Sequence, residues 1–418
     1  MSMSFRPPTA RDRRRSRAAA IYRRLLHGRP FVGITGSVAK TTTTKLIGDV
    51  LAALGPGHAS GLGGNAGPHI PRAILATRPR HRYCVQEISG HQPGALDTAL
   101  AIFRPNIGVV TWIGMDHWKA FGDPAGIAEE KRKMVSCLPA SGCAILNADD
   151  PAVLAMAPYT RARVLRFGLS PAADVRADDV QCAFPTRLSM TVRHAGVSLP
   201  LRTGLIGEHM THPVLAAIAV GLACGVPLRE CVRRLDGVTG RRHRMTAHPA
   251  PSGATFLLDT RKAPVWTVEA SLRVLEQARA RRKIIVIGTL SDYRGAAARP
   301  YRRVARRALE IAEHVYFVGP AAQRVRKEVP VNGDRDLRLF ETVWELHEFL
   351  HGRLGPGDVV LVKSSRVDHL ERLFEARVGP HACWLTRCEV RGCCTDCKRR
   401  FVSARPEPGA RTSSDAEP

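Results

Sequence analysis

Residues 31 to 54 constrain this chain more than any other stretch. Phe31-Val32-Gly33-Ile34-Thr35 is a short apolar run that reads as a strand. It passes through Gly36-Ser37-Val38-Ala39 into a segment from Thr41 to Leu54, where Leu46, Val50, Leu51 and Leu54 recur at helical spacing. Gly55-Pro56-Gly57 stops that helix. A strand that feeds a helix through a tight loop presents backbone N–H groups and a helix N-terminus, and together these cradle phosphate. Gly36 and Ser37 would line the cradle, Lys40 would reach the β- and γ-phosphates of a nucleotide, and the Thr41 hydroxyl would bind Mg²⁺. Ala39 stands where a glycine is usual, and its methyl crowds the loop or disfavours a positive φ. The motif alone also fits a plain helix cap. Its strand–loop–helix setting favours the nucleotide.

The rest of the chain extends this pattern. Residues 83–88, 107–111 and 143–147 read as strands, and 124–138 as a helix. Residues 164–197 are β-like and irregular, and His209 to Cys224 reads as a helix with small residues throughout. A second unit begins near Thr246, with strands at 256–259, 283–288, 314–318 and 359–362. Helices at 265–281, 301–312 and 342–353 separate them. Alternation of this kind gives an α/β fold. The expected architecture is a phosphate-loop (P-loop) central domain with a mainly parallel sheet, a smaller Rossmann-like C-terminal α/β domain and a Cys-rich tail. The boundaries expected are 1–30 for a basic arm, 31–245, 246–380, and 381–418 for the cysteine cluster and a disordered tail.

The 418 residues carry 63 Lys+Arg against 37 Asp+Glu, a net charge of +26. That excess points to an anionic partner, or to arginine-rich coding alone. No basic stretch is rich in aromatics, so nucleic acid is not the expected partner. The longest apolar run, Val214 to Val226, is short of the ~20 residues of a membrane span. Ile21-Tyr22-Arg23-Arg24 is too charged for a signal region, so a cytoplasmic location is expected. Five of eleven cysteines crowd between Cys383 and Cys397. Cys383, Cys388, Cys394 and Cys397 form a candidate tetrahedral zinc set, with an iron–sulfur cluster or reversible disulfides as alternatives.

Several short motifs, in order, resemble the Mur ligase superfamily over residues 31–375, and most closely the branch that adds D-alanyl-D-alanine. Gly33-Ile34-Thr35-Gly36-Ser37-Val38-Ala39-Lys40-Thr41-Thr42-Thr43 is similar to its phosphate loop. Glu87, in Gln86-Glu87-Ile88-Ser89, matches its glutamate after a strand. Asp116-His117 follows Pro105 to Thr111, as its metal-binding histidine does. Ile127-Ala128-Glu129-Glu130-Lys131 matches the stretch with its carbamylated lysine. Leu146 to Asp150, Gly207-Glu208-His209, Gly240-Arg241, Asp259 to Leu272 and Gly357 to Arg366 continue the series.

The resemblance implies an ATP-dependent, ADP-forming ligase that activates a carboxylate as an acyl phosphate and joins it to an amine. It implies Thr41, Glu87 and His117 as Mg²⁺ ligands, Lys40, Lys131 and Arg241 as catalytic groups, and His212, Arg241 and Asp259 as nucleotide contacts. His212 stands where an adenine-contacting asparagine is usual, Lys262 and Pro264 replace asparagines, and Ser364 replaces a glycine. These departures suggest an altered amine or acceptor pocket.

Plain readings stand beside each role. Glu87 could be a surface carboxylate, His117 a packed or capping histidine, and Asp259 a helix cap. Lys131 lies among Glu129, Glu130, Arg132 and Lys133, and from spacing alone it belongs on a solvated face. Two other functions remain open: a nucleotide-binding pseudoenzyme or scaffold, and, further off, a nucleic-acid binder. Only some thirty residues precede the loop, too few for a separate UDP-sugar domain. The carboxylate is therefore expected on an amino acid, peptide, polyglutamate-like chain or lipid-linked precursor, unless a partner subunit supplies that domain.

Overall fold

The computed structural model describes residues 9–61, 64–330, 335–386, 388, 390 and 392–402. The chain divides into two compact units after Gly240.

In the first unit, nine strands form one sheet. They are β1 (Phe31–Thr35), β2 (His58–Ala59), β3 (Cys84–Glu87), β4 (Ile107–Val110), β5 (Cys143–Asn147), β6 (Arg163–Gly168), β7 (Val175–Gln181), β8 (Ser189–His194) and β9 (Val197–Arg202). Their order is β2-β3-β1-β4-β5-β6-β7-β8-β9. The pairs from β2 through β7 are parallel, and β7, β8 and β9 run antiparallel. Every residue of β1, β4 and β5 is buried, as expected where helices cover both faces of a parallel sheet. Ile34 pairs with Glu87, and Thr35 with Val110, so the carboxyl ends of β1, β3 and β4 lie level. Ligands of open α/β sheets bind at such ends. The irregular stretch from 164 to 197 resolves into the strands that extend the sheet on this side.

The basic N-terminal segment is helical and docks on the first unit. A helix runs from Ala10 to Leu25, capped by a reciprocal Thr9–Asp12 box. Ala19 and Leu26 are buried, and the Arg23 guanidinium sits 3.6 Å from the centre of the Phe31 ring. Arg23 Nε and Nη2 donate to the carbonyls of Phe103 (2.9 Å) and Arg104 (2.7 Å), and the Tyr22 hydroxyl donates to Thr77 O (2.9 Å). The arginine density hides this docking, because long basic side chains cover apolar surface with their stems.

The second unit has a six-stranded sheet of β10 (Thr246–Pro249), β11 (Thr255–Asp259), β12 (Arg282–Ile287), β13 (His314–Val318), β14 (Asp336–Phe340) and β15 (Asp358–Lys363). The order is β10-β11-β15-β12-β13-β14, antiparallel only at β10–β11. The helix expected over 265–281 is shorter. A 3₁₀ turn spans Val265–Thr267 and the α-helix only Val268–Glu276. The Arg281 N–H bonds the Gly357 carbonyl at 2.8 Å, which draws the chain off the helix and into the sheet. Among the described residues, no helix is long and apolar enough to cross a membrane.

Candidate active site

The loop after β1 is fitted closely against the end of β4. Gly36 has φ +134°, and a Cβ there would lie 2.1 Å from Thr111 Oγ1, so only glycine fits. Ser37 N–H donates to Trp112 O (2.7 Å), and Thr111 Oγ1 donates to Val38 O (2.7 Å). Ala39 caps the helix Lys40–Leu51 at φ +64° and ψ −8°. The positive φ raised by the missing glycine is therefore real, and alanine bears its strain, about 1–2 kcal/mol.

Two linked sets of side chains surround the first turn of this helix. In one, the Thr41 hydroxyl donates to Glu87 Oε2 (2.7 Å), and Asn65 Nδ2 donates to Glu87 Oε1 (2.9 Å). Glu87 is buried at the end of β3, which removes the surface-carboxylate reading. In the other, Asp116 joins the loop to the helix Pro124–Ser136. Its Oδ1 accepts from the Ser37 hydroxyl, while its Oδ2 lies 3.5 Å from Lys131 Nζ and 3.8 Å from His117 Nε2. Lys40 is buried and donates to the Gly36 carbonyl.

Lys131 is not on a solvated face. It is 1% exposed, and its helix turns Lys131 inward together with Glu130. Glu130 accepts from the N–H groups of Gly94 (3.0 Å) and Leu96 (2.7 Å) at the start of the helix Ala95–Phe103. Burial pushes the Lys131 ammonium down to about 8, with Asp116 acting against the shift and Lys40 adding to it. Burial pushes Asp116 up, but Lys40 and then Lys131 outweigh it and leave the carboxyl below its usual range. Asp116 thus organises the site, and its chemistry is invisible in spacing because its partners come from three separate elements.

His212 opens the helix Thr211–Ala223 and bonds Asp149 Oδ2 at 2.7 Å, with its ring 5.8 Å from that of Trp112. Asp149 also accepts from the N–H groups of Leu169 (2.6 Å) and Ser170 (2.8 Å), which links His212 to the end of β6.

The second unit holds Arg241 and Asp259. Asp259, at the end of β11, pairs with Lys363 at the end of β15 (2.5 Å) and accepts from the Ser271 hydroxyl (2.9 Å). Ser271 lies within the helix Val268–Glu276, so this bond ties the end of β11 to that helix. None of the eleven cysteines is joined in a disulfide. Cys383, Cys388 and Cys397 do not gather with Cys394. Among the described residues, one set of three or more His, Cys, Asp or Glu ligand atoms lies within 4.8 Å of one another, and it is His369, Glu371 and Cys394. Glu87, Asp116 and His117 are not closed up in this way. An open arrangement suits Mg²⁺, which keeps water and phosphate among its ligands.

Residues 34–221 match the model of the Mur ligase middle domain, and residues 243–366 that of the Mur ligase glutamate ligase domain. A UDP-N-acetylmuramoyl-tripeptide–D-alanyl-D-alanine ligase of Mycobacterium tuberculosis (strain CDC 1551 / Oshkosh) is 30% identical over 393 residues, covering 86% of this chain and 75% of its own. The enzyme of that name from Treponema pallidum (strain Nichols) is 29% identical, covering 82% and 73%. The crystal structure of MurF from Acinetobacter baumannii superposes with a TM-score of 0.78 at 24% identity, over 87% of this chain and 80% of that one. MurF from Thermotoga maritima in complex with ADP gives 0.77 at 20% identity, over 87% and 82%. The phosphate loop, the two sheets and the order of the matched domains agree: the chain belongs to the Mur ligase family of ATP-dependent, ADP-forming ligases that join a carboxylate to an amine.

Proposed function

We propose that the loop Gly36–Thr41 takes the β- and γ-phosphates of ATP, and that the chain activates a peptide carboxylate for attack by the amine of a dipeptide. The observation that carries this reading is the first turn of the helix Lys40–Leu51. It sets a buried lysine beside a threonine already bonded to a buried glutamate. Lys40 would neutralise the transferring phosphoryl group. A carboxylate oxygen attacks the γ-phosphorus, the bond to the β-phosphate oxygen breaks, and ADP leaves. The amine then adds to the acyl carbon, loses a proton, and expels phosphate carrying one former carboxylate oxygen.

Thr41, Glu87 and His117 fit a magnesium ion, which supplies charge neutralisation at the phosphates. Lys131 fits carbamylation. Its depressed pKa leaves a neutral amine fraction that adds to CO₂ and releases a proton, giving a carboxylate-like ligand. His212 would contact the nucleotide through its ring.

The relatives' names pair a UDP-muramoyl tripeptide with D-alanyl-D-alanine, which supports the two substrate classes. Lys262 and Pro264 would reshape the amine pocket. A substrate panel with purified protein tests the assignment, by measuring ADP release as peptide carboxylates with and without a UDP-sugar are paired with single amino acids and dipeptides. ADP release that requires both a peptide carboxylate and a dipeptide amine is expected. Release that needs neither, or nucleotide binding without turnover under every pairing, would overturn it in favour of a scaffold role.

A further inference from the structure

Cys393 and Cys394 lie beyond the two matched domains, and the structure folds them onto the second unit. The chain leaves β15 through Ser364 and Ser365 into a 3₁₀ turn, Arg366–Asp368, and His369 follows at φ +51°. Glu371 then precedes the helix Arg372–Val378. His369, Glu371 and Cys394 are 2%, 3% and 6% exposed, and they converge although more than twenty residues separate Glu371 from Cys394.

The spacings among their ligand atoms are those of a coordination polyhedron. Cys394 Sγ lies 3.3 Å from His369 Nδ1, and His369 Nδ1 lies 3.6 Å from Glu371 Oε1. Cys393 Sγ lies 3.6 Å from that same Glu371 oxygen but outside the set of atoms that are all within 4.8 Å of one another. Zinc bonds of about 2.3 Å to sulfur and about 2.0 Å to nitrogen or oxygen, at tetrahedral angles, put neighbouring ligand atoms about 3.3–3.8 Å apart. Behind Cys393, His243 Nε2 lies 3.0 Å from its sulfur, and the Thr395 hydroxyl 3.1 Å. The neighbouring Arg372 spends its Nη1 on the carbonyls of Cys383 (3.4 Å) and Leu385 (2.9 Å).

We propose that His369, Glu371 and Cys394 form a structural zinc site that fastens the segment Cys393–Cys397 to the second unit, with the Cys393 sulfur turning in from beside Glu371 as the fourth ligand when the ion binds. Mixed nitrogen, oxygen and thiolate donors suit a borderline cation such as zinc, and four protein ligands leave no position open for chemistry. His243 orients the Cys393 sulfur from outside the ligand set. The site uses only one of the four cysteines expected from spacing.

The test is elemental analysis of the full chain, followed by metal removal and cobalt(II) reconstitution. About one zinc per chain is expected, with a cobalt spectrum of a tetrahedral ion bound by two thiolates. His369→Gln and Cys394→Ser should lower zinc occupancy at least about tenfold, while Cys388→Ser and Cys397→Ser keep it. Should the first two variants fail to fold, the wild-type cobalt spectrum decides, since its charge-transfer intensity counts thiolates. A chain that binds neither zinc nor cobalt overturns the proposal. So does a four-thiolate spectrum, or occupancy that depends on Cys388 and Cys397 but not on His369.

Discussion

The two metal sites proposed for this molecule are built in opposite ways. Around the phosphate loop, Thr41 bonds Glu87, and Glu87, Asp116 and His117 do not form a closed ligand cluster, so phosphate and water would complete the proposed magnesium site. In the second unit, His369, Glu371 and Cys394 are closed on one another and buried. An open set binds a metal only together with its substrate and serves turnover. A closed set draws all its ligands from the protein and serves the fold. Changes at the loop should therefore act on catalysis, and changes at the cluster on stability.

The largest expected effect is at Lys40. Lys40→Ala should lower ligase turnover by about 10³-fold or more, because it removes the cation beside the transferring phosphoryl group. Steady-state ADP release measures this, and undiminished turnover would move the phosphate site elsewhere. Thermal unfolding of the same variant should shift far less than that of Cys394→Ser. The reverse order would erase the distinction between the two regions.

Lys131 gives a smaller effect with a definite sign. Its folded pKa, about 8, lies below the unfolded value of 10.5. Between these values the unfolded chain holds the extra proton, so stability rises with pH across the window and the penalty is complete below it. In carbon dioxide-free buffer, the wild type should gain roughly 1 kcal/mol per pH unit relative to Lys131→Met between about pH 8 and about pH 10. Denaturant unfolding at several pH values reads it out. Parallel curves for the two proteins would mean that the Lys131 ammonium is not held in a costly environment. The smallest effect is at Ala39, where Ala39→Gly relieves the left-handed strain and should stabilise the protein by about 1 kcal/mol. A loss of stability would show that the alanine methyl makes compensating contacts.

The same contrast explains what the sequence makes legible. The phosphate loop is contiguous, and its strand, glycine, lysine and threonine follow one another, so the fold and half of the site can be read directly. Glu87 and His117 follow through the motif order. Lys131 is different, because charged neighbours on both sides mask a residue that only tertiary packing turns inward. Asp116 is adjacent to a named histidine, yet its role depends on Ser37, Lys131 and His117 meeting in space. The cluster in the second unit is the extreme case. His243, His369, Glu371 and the vicinal cysteines are spread over about 150 residues, and the cysteine spacing alone directs attention to Cys383, Cys388 and Cys397 instead. Among strands, β10 and β14 carry weak signals: Thr246–Pro249 ends in proline, and Asp336–Phe340 is a partly exposed edge.

The central claim is that the loop Gly36–Thr41 drives formation of an acyl phosphate, and isotope transfer tests it most directly. A carboxylate substrate labelled with ¹⁸O is turned over with ATP and amine, and the released phosphate is analysed by mass spectrometry. The account predicts one ¹⁸O atom in each phosphate formed, with ADP as the other product. Amide synthesis with unlabelled phosphate, or with AMP released, would contradict it.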